Sequence, residues 1–158
     1  RFPHLHWHVI GPIQTNKAPA IAAGHPTLVH TLDRPKLVTS LAKRWNHTEA
    51  LEVLIQVNID KEPQKAGCLP EDLPALCDLV CGHPQLKIRG LMCIPKPCEG
   101  APPQRAFANT RELLERISDR VVGSPILSMG MSGDFEAAIA EGSTLIRVGS
   151  ALFGPRAY

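Results

Sequence analysis

The sequence predicts an α/β protein with a parallel β-sheet, and three observations lead to this fold class. Short apolar and β-branched runs alternate with longer segments in which apolar residues recur every three or four positions, the repeat of an α-helix. This alternation continues along the whole chain, as in consecutive βα units. The connections are short, apart from a proline-rich stretch at residues 95–103, which we expect to form a surface loop ahead of a helix.

Six apolar runs are predicted to be strands, at residues 6–11, 27–32, 52–58, 87–93, 126–130 and 145–148. A closed barrel of this type has eight βα units in about 250 residues, so six units in 158 residues have the right density but are two short. Two architectures therefore stay open: an open, doubly wound sheet, or most of a (β/α)8 TIM barrel whose first quarter is absent. In either case we expect one domain over residues 1–158.

Apolar stripes of helical period lie between these runs, at residues 37–45, 69–80, 107–117 and 135–140. Pro70 suits an early helical position, and the carboxylates of Glu71 and Asp72 favour a first turn. Asp134 precedes the last stripe, and Gly142 follows it as a natural helix stop.

The composition excludes several classes of protein. Hydrophobic residues make up 44% of the chain and charged residues 20%, which argues against intrinsic disorder. No apolar run approaches the roughly 20 residues that a membrane-spanning helix needs, so we expect no membrane association. The net charge of +2 and the 4% of aromatic residues give no basis for nucleic-acid binding.

Five cysteines are present without any C-x-x-C pair, so we interpret them as reduced thiols of a cytoplasmic protein. Cys77 and Cys81 are four residues apart on a predicted helix and could reach one metal ion, but small buried apolar side chains are the favoured interpretation. His4, His6 and His8 alternate along the first predicted strand. A zinc site there would need a further ligand, so no metal is expected.

The last two predicted strands each end in a small-residue turn followed by a helix start. Ser132 and Gly133 follow one strand, and Gly149 and Ser150 follow the next. Backbone N–H groups at a helix start, glycines that allow close approach and hydroxyl donors together suit an anion. Because barrels bind phosphate at the loops after their last two strands, the sequence predicts a phosphate site here. Each loop alone could instead hold only a helix cap and a turn residue.

Other polar residues lie within or just after the predicted strands. Arg147 lies within the apolar last strand, where it could donate to a ring nitrogen or a phosphate, or pair with a carboxylate. Asn16 or Thr15, in the polar loop at residues 11–17, could cap the next helix. Asn58 ends the third strand. Its side chain could face a ligand or could hydrogen bond within its own turn, and the sequence favours neither.

Known nucleophile and phosphate motifs are missing from the sequence, which contains no G-x-S-x-G elbow, P-loop or G-x-G-x-x-G fingerprint. Lys61 and Lys65, in the charged loop after the third strand, are expected to be solvated.

Five segments carry extended motifs, in order and over nearly the whole chain: H-W-H-V-I-G-P-I-Q-T-N-K at 6–17, V-L-I-Q-V-N-I at 53–59, I-R-G-L-M-C-I-P at 88–95, L-S-M-G-M-S-G-D-F-E-A-A-I-A at 127–140 and G-S-T-L-I-R-V-G-S-A-L-F-G at 142–154. Together they resemble the pyridoxal phosphate homeostasis proteins of the YggS/PROSC type. That family has a single (β/α)8 barrel like the N-terminal domain of alanine racemase, so the resemblance favours the barrel architecture.

The resemblance also implies a function. Proteins of this family bind pyridoxal 5′-phosphate (PLP), have no well-established catalytic reaction and are thought to store, carry or buffer the cofactor. The residues of this chain that the resemblance implies in cofactor binding are His8, Asn16, Met131, Ser132, Arg147, Gly149 and Ser150.

Individual roles follow from the same resemblance. Ser132 and the Gly149–Ser150 pair would hold the phosphate, with Ser150 in place of the threonine usual in the family. Arg147 would approach the pyridine nitrogen and keep it unprotonated, which weakens the ring as an electron sink. His8 and Asn16 would lie nearer the ring.

In the family, a lysine at the end of the first strand bonds covalently to the cofactor aldehyde, ahead of the motif found here at residues 6–17. This chain starts just before that motif, in agreement with the count of six units. We therefore expect it to hold PLP non-covalently and more weakly. We also expect it to fold poorly alone, because an opened barrel exposes two strand edges.

Alternatives to PLP homeostasis are a PLP-dependent racemase-like enzyme on the same barrel and a phosphate-binding barrel enzyme without PLP. The expected partners are PLP itself and PLP-dependent apo-enzymes, and the complete protein is expected to be a monomer.

Overall fold

The computed structural model describes residues 4–97 and 102–154. It contains one six-stranded sheet in which every neighbouring pair of strands is parallel. The strands, in chain order, are β1 (His8–Val9), β2 (Leu28–Leu32), β3 (Leu51–Val57), β4 (Leu86–Cys93), β5 (Ile126–Met131) and β6 (Leu145–Arg147). All six predicted strands are thus confirmed, although β1 is much shorter than residues 6–11 because only His8 and Val9 pair with β2.

The spatial order of the strands is the same as their order in the chain, β1 to β6. A doubly wound sheet reverses its strand order at a switch point, and this sheet does not. A sequential parallel sheet with a helix after each strand is the arrangement of a (β/α)8 barrel, so the barrel architecture is confirmed over the described part of the chain.

Helices follow the strands and pack against the sheet. They are α1 (Ala18–Gly24), α2 (Pro35–Arg44), α3 (Leu73–Cys81), α4 (Gln104–Arg116), α5 (Phe135–Ala140) and the short α6 (Ser150–Phe153). No helix in the described ranges is both long and apolar enough to span a membrane. Four positions of the predicted proline-rich loop, 98–101, lie outside the described residues.

The start predicted for α3 is wrong. The helix begins at Leu73, so Pro70, Glu71 and Asp72 precede it instead of forming its first turn. A helix starting at residue 69 would put Pro74 beyond its first turn, where the missing N–H and the ring clash would break the backbone hydrogen bonding. With the start at Leu73, Pro74 falls at the second position, where no N–H is needed.

Buried apolar side chains form two clusters, one on each face of the sheet. The larger lies between the strands and the helices and includes Val53 and Ile55 of β3 and Phe107 of α4. Side chains alternate between the two faces along a strand, so the smaller cluster faces the concave side. Its buried members are Leu28, Leu54 and Met92, with Ile126 and Leu145 packed against them.

A β-bulge in β4 lets this strand fit between its neighbours. Val53 pairs with Ile88 but Leu54 pairs with Gly90, so Arg89 is the extra residue. The backbone of Gly90 has φ of +149°, and a Cβ added there would lie 1.9 Å from the carbonyl oxygen of Ile126 on β5. Glycine is therefore required where β4 and β5 approach each other.

Replacing Gly90 with alanine is expected to lower the free energy of unfolding by more than about 3 kcal/mol, because the methyl group adds backbone strain and separates two paired strands. Urea unfolding followed by circular dichroism measures this loss. Gly24→Ala is the matched control, since Gly24 has nothing within 4 Å of the added Cβ and should change stability by less than about 0.5 kcal/mol. Equal losses in the two variants would contradict this account of β4.

Candidate functional site

A polar layer lies next to the small apolar cluster on the inner face of the sheet. It consists of His30, Ser128 and Arg147, each two residues beyond a side chain that belongs to or packs against that cluster. Two residues along a strand return to the same face, so these side chains are displaced toward the carboxyl ends of the strands. Ligands bind to barrels at that end.

Arg147 of β6 is held by two hydrogen bonds within this layer. One terminal nitrogen donates to Ser128 Oγ at 2.9 Å, and the other donates to the carbonyl oxygen of Cys93, at the end of β4, at 3.0 Å. Burial lowers the pKa of the guanidinium, although an arginine stays charged in proteins. The alternative of a salt bridge to a carboxylate is not found among the described residues.

His30 connects this arginine site to the first strand. Its Nδ1 lies 2.9 Å from Ser128 Oγ, and its Nε2 lies 3.1 Å from Nδ1 of His8. The two imidazole rings are tilted against each other, with centroids 5.1 Å apart. Hydrogen bonds thus join side chains of β1, β2, β5 and β6 across the concave face.

Both histidines are held in their neutral forms. Burial, together with the neighbouring His8 and Arg147, lowers the pKa of His30 to about 4. Burial also lowers the pKa of His8; His6 acts in the same direction, and Glu52 opposes it. Protonation would place a positive charge on a buried imidazole, where little water can solvate it and the Arg147 guanidinium repels it. Among the four hydrogen-bonded side chains of His8, His30, Ser128 and Arg147, only Arg147 is therefore charged at neutral pH.

The turns after β5 and β6 contact each other. The backbone N–H groups of Gly149 and Ala151 donate to Ser132 Oγ, at nitrogen–oxygen distances of 3.4 and 3.2 Å. Ser150 begins α6 and is exposed between these two amides. The structure thus brings together the two small-residue turns that the sequence singled out, with two amides of the second turn directed at the Ser132 hydroxyl of the first.

Other predicted binding residues are placed differently. Met131 ends β5 with 37% of its surface exposed, and its backbone N–H donates to the Asp134 carboxylate at 2.6 Å. Asn16 is exposed in the 3-10 turn Thr15–Lys17 and makes no hydrogen bond with the polar layer within the described residues. Neither Thr15 nor Asn16 caps α1, whose N-cap residue is Lys17 without any side-chain cap.

Asn58 satisfies its own turn instead of facing a ligand. Its side-chain amide donates to the carbonyl oxygen of Glu62 at 2.8 Å, and its side-chain oxygen accepts from the Glu62 N–H at 3.1 Å.

The expectation that both loop lysines are solvated is wrong for Lys65, which is mostly buried and donates to the carbonyl oxygen of Pro95 at 3.0 Å. Lys61 is exposed and pairs with Glu71.

The cysteines are only partly as predicted. Cys68, Cys77 and Cys93 are buried free thiols, but Cys81 is exposed, so its interpretation as a buried apolar side chain is wrong. Cys77 and Cys81 lie on the same side of α3, but Cys81 is the last residue of the helix and is followed by the exposed Gly82. Cys98 lies outside the described residues. No group of three metal-binding side chains occurs in the described ranges.

His30 and Ser128 were missed by the sequence reasoning. Each lies within an apolar run, L-V-H-T-L or I-L-S-M-G-M, where a polar side chain must find a hydrogen-bond partner. That signal was present in the sequence, but the partner of each residue lies on a different strand and far away along the chain.

Comparison with known proteins links this chain to one family. The alanine racemase N-terminal domain family matches residues 3–157. A pyridoxal phosphate homeostasis protein of Pseudomonas aeruginosa is 51% identical over 156 residues, which cover 98% of this chain and 66% of the relative. One of Aquifex aeolicus is 42% identical over 157 residues, covering 98% and 68%. The chain thus spans about two thirds of these relatives' length.

Solved structures agree with this similarity. The structure of PipY from Synechococcus elongatus with PLP bound has a TM-score of 0.83 at 35% identity, and the match covers 96% of this chain and 72% of PipY. Alanine racemase of Corynebacterium glutamicum has a TM-score of 0.70 at 15% identity, covering 94% and 41%, which indicates a shared fold only.

The neutral His30 should make the protein sensitive to acid. In the unfolded chain a histidine binds a proton below about pH 6.5, whereas folded His30 does so only near pH 4. Acidification from pH 7 to 4.5 therefore favours the unfolded state, by about 2 kcal/mol. Urea unfolding at several pH values measures this dependence.

The His30→Gln variant should lose much less stability over the same pH range, because glutamine can hydrogen bond at this site without titrating. Replacing the exposed His4 with glutamine is the matched control, and its pH dependence should equal that of the unmodified protein. If His30→Gln leaves the pH dependence unchanged, His30 is not the group that titrates.

Proposed function

The chain belongs to the alanine racemase N-terminal domain family, and we propose that it binds PLP and takes part in PLP homeostasis, as the names of its relatives state for them. The observation that carries this proposal is the contact between the turns after β5 and β6, where a hydroxyl and backbone amides converge. PLP, when bound, supplies a reactive aldehyde on an electron-withdrawing ring. The residues of this chain would bind and orient it.

The convergent donors fit a phosphate group. In the structure the amides of Gly149 and Ala151, both after β6, donate to Ser132 Oγ of the turn after β5, so this oxygen marks a position where the two amides share one acceptor. A phosphate oxygen is a stronger acceptor than a hydroxyl and would take over these amides, with the Ser132 and Ser150 hydroxyls as additional donors. The Asp134 carboxylate accepts a hydrogen bond from the Met131 N–H, which fixes its orientation but leaves its charge in place.

Arg147 suits the ring end of the cofactor. Its guanidinium lies on β6 two residues before Gly149, and its two terminal nitrogens are anchored to Ser128 and Cys93. A fixed positive charge beside a pyridine nitrogen disfavours protonation of that nitrogen. We propose that Arg147 meets the ring in this way, so that the bound cofactor is a poor electron sink and little chemistry follows binding.

We propose that His8 lies beside the ring and that all these contacts are non-covalent. The exposed Asn16 lies in the adjoining loop and is also proposed to contact the cofactor. Thr31 of β2 and Arg34, the residue before α2, hold this loop by donating to the carbonyl oxygens of Gly11 and Ile13. Binding of this kind suits a protein that stores the cofactor and delivers it to apo-enzymes. The buried free thiols of the described residues are compatible with the cytoplasm as its compartment.

Replacing Ser132 with alanine should weaken PLP binding about tenfold, because a charge-assisted hydrogen bond to the phosphate is lost. Titration followed by the absorbance of PLP measures the dissociation constant. Ser118→Ala is the control, since Ser118 lies in the 3-10 turn Ser118–Arg120 ahead of β5. Pyridoxal, which lacks the phosphate, should bind the unmodified protein and Ser132→Ala equally weakly. A Ser132→Ala protein that binds PLP normally would exclude the phosphate site described above.

A second prediction concerns turnover. With PLP present, the protein should racemise L-alanine and other amino acids no faster than free PLP does, because Arg147 keeps the ring a weak electron sink. Circular dichroism of the amino acid over time measures the rate, with a PLP-dependent racemase as the positive control. Rates that saturate with substrate and exceed those of free PLP would show that the protein is an enzyme.

A further inference from the structure

The side chains around Arg147 can form hydrogen bonds in only one direction. A guanidinium has donors and no acceptor, so Arg147 must donate to Ser128 Oγ at 2.9 Å. Ser128 is completely buried, and its own proton needs an acceptor. The nearby imidazole nitrogen, His30 Nδ1 at 2.9 Å, can accept that proton only when it carries none itself.

The same reasoning extends to the first strand. A neutral His30 with an unprotonated Nδ1 carries its proton on Nε2, which then donates to His8 Nδ1 at 3.1 Å. His8 must in turn carry its proton on Nε2, which points away from His30. The direction from Arg147 through Ser128 and His30 to His8 therefore assigns one tautomer to each of two histidines.

We propose that His30 and Ser128 are positioning residues, which hold the Arg147 guanidinium in one orientation toward the ring end of the cofactor site. Cys93 fixes one terminal nitrogen through a backbone carbonyl, which no side-chain substitution removes. The second terminal nitrogen depends on Ser128, and when the Ser128 proton is directed at His30 Nδ1 the lone pairs of Oγ are turned toward Arg147. His30 thus acts on the ring end of the site although it does not reach Arg147 itself.

The ligand in this inference rests on the proposed function, whereas the direction of the hydrogen bonds is a property of the protein alone. The first experiment therefore uses the ligand-free protein. With nitrogen-15 in the imidazole rings, NMR at pH 7.5 should show His30 and His8 as neutral rings with the proton on Nε2. His30→Gln and His8→Gln assign the signals by their loss. A proton on Nδ1 of His30 would overturn the inference, because Ser128 could then not donate to it.

Ser128→Ala provides the test of coupling in the same spectra. Without the serine proton, the preference of His30 for one tautomer should decrease. His47 is the internal control, because its Nε2 donates to the carbonyl oxygen of Ala22 at 2.8 Å, far from Ser128 in the chain, and its signals should stay unchanged. An unchanged His30 tautomer in Ser128→Ala would show that Ser128 does not set the direction.

The second experiment separates positioning from a general structural role. His30→Leu should weaken PLP binding about tenfold, the loss expected for one misdirected hydrogen bond from a charged group. The deaza analogue of PLP, in which carbon replaces the pyridine nitrogen, should bind His30→Leu and the unmodified protein equally. His30→Gln, which can accept from Ser128 and donate to His8, should restore PLP affinity to within about twofold.

Each outcome of the second experiment decides the question. If His30→Leu weakens PLP and the deaza analogue equally, or weakens neither, His30 does not position Arg147. Ser128→Ala repeats the comparison should His30→Leu fail to fold. If the unmodified protein binds no PLP, the proposed function fails, and the NMR result still decides whether the directed hydrogen bonds exist.

Discussion

The partly buried charge of Arg147 is the constraint on which the inner face of this sheet depends. A guanidinium that is partly removed from water needs hydrogen-bond acceptors from the protein, since burying an unpaired charge is costly in free energy. This protein supplies a serine hydroxyl from β5 and a backbone carbonyl from β4 instead of a carboxylate. The charge is therefore solvated but not neutralised, and it stays available to a ligand.

The neutral acceptors have consequences further along the sheet. Because Ser128 Oγ accepts a hydrogen bond from Arg147, the Ser128 hydroxyl donates its proton to His30 Nδ1. Because His30 is uncharged, its proton lies on Nε2, which donates to His8 Nδ1. A carboxylate in place of Ser128 would have ended this series at the second residue. The apolar cluster of Leu28, Leu54 and Met92 below the polar layer excludes water from that side, which strengthens these electrostatic interactions.

The contact between the last two turns gives the site its second half. Ser132 accepts from the amides of Gly149 and Ala151, so the turns after β5 and β6 are already held together in the structure. Sequential order of parallel strands is what makes these turns neighbours, because β5 and β6 are adjacent in both sequence and sheet. The anion end and the Arg147 end of the site are thus built by the same pair of strands.

Local patterns in the sequence determined the strands and most of the helices of this protein, because the period of apolar residues reports directly which face each element buries. They also determined the pair of small-residue turns that end β5 and β6, since glycine and serine after a strand favour a tight turn into a helix. The start of α3 at Leu73 follows from Pro74, a local signal that the spacing of apolar residues does not report, and Cys81 is exposed as the last residue of that helix. Only the tertiary structure decided the partners of Arg147. Ser128 lies 19 residues away and His30 lies 98 residues from Ser128, and no local pattern states which strands bring such side chains within 3 Å of each other.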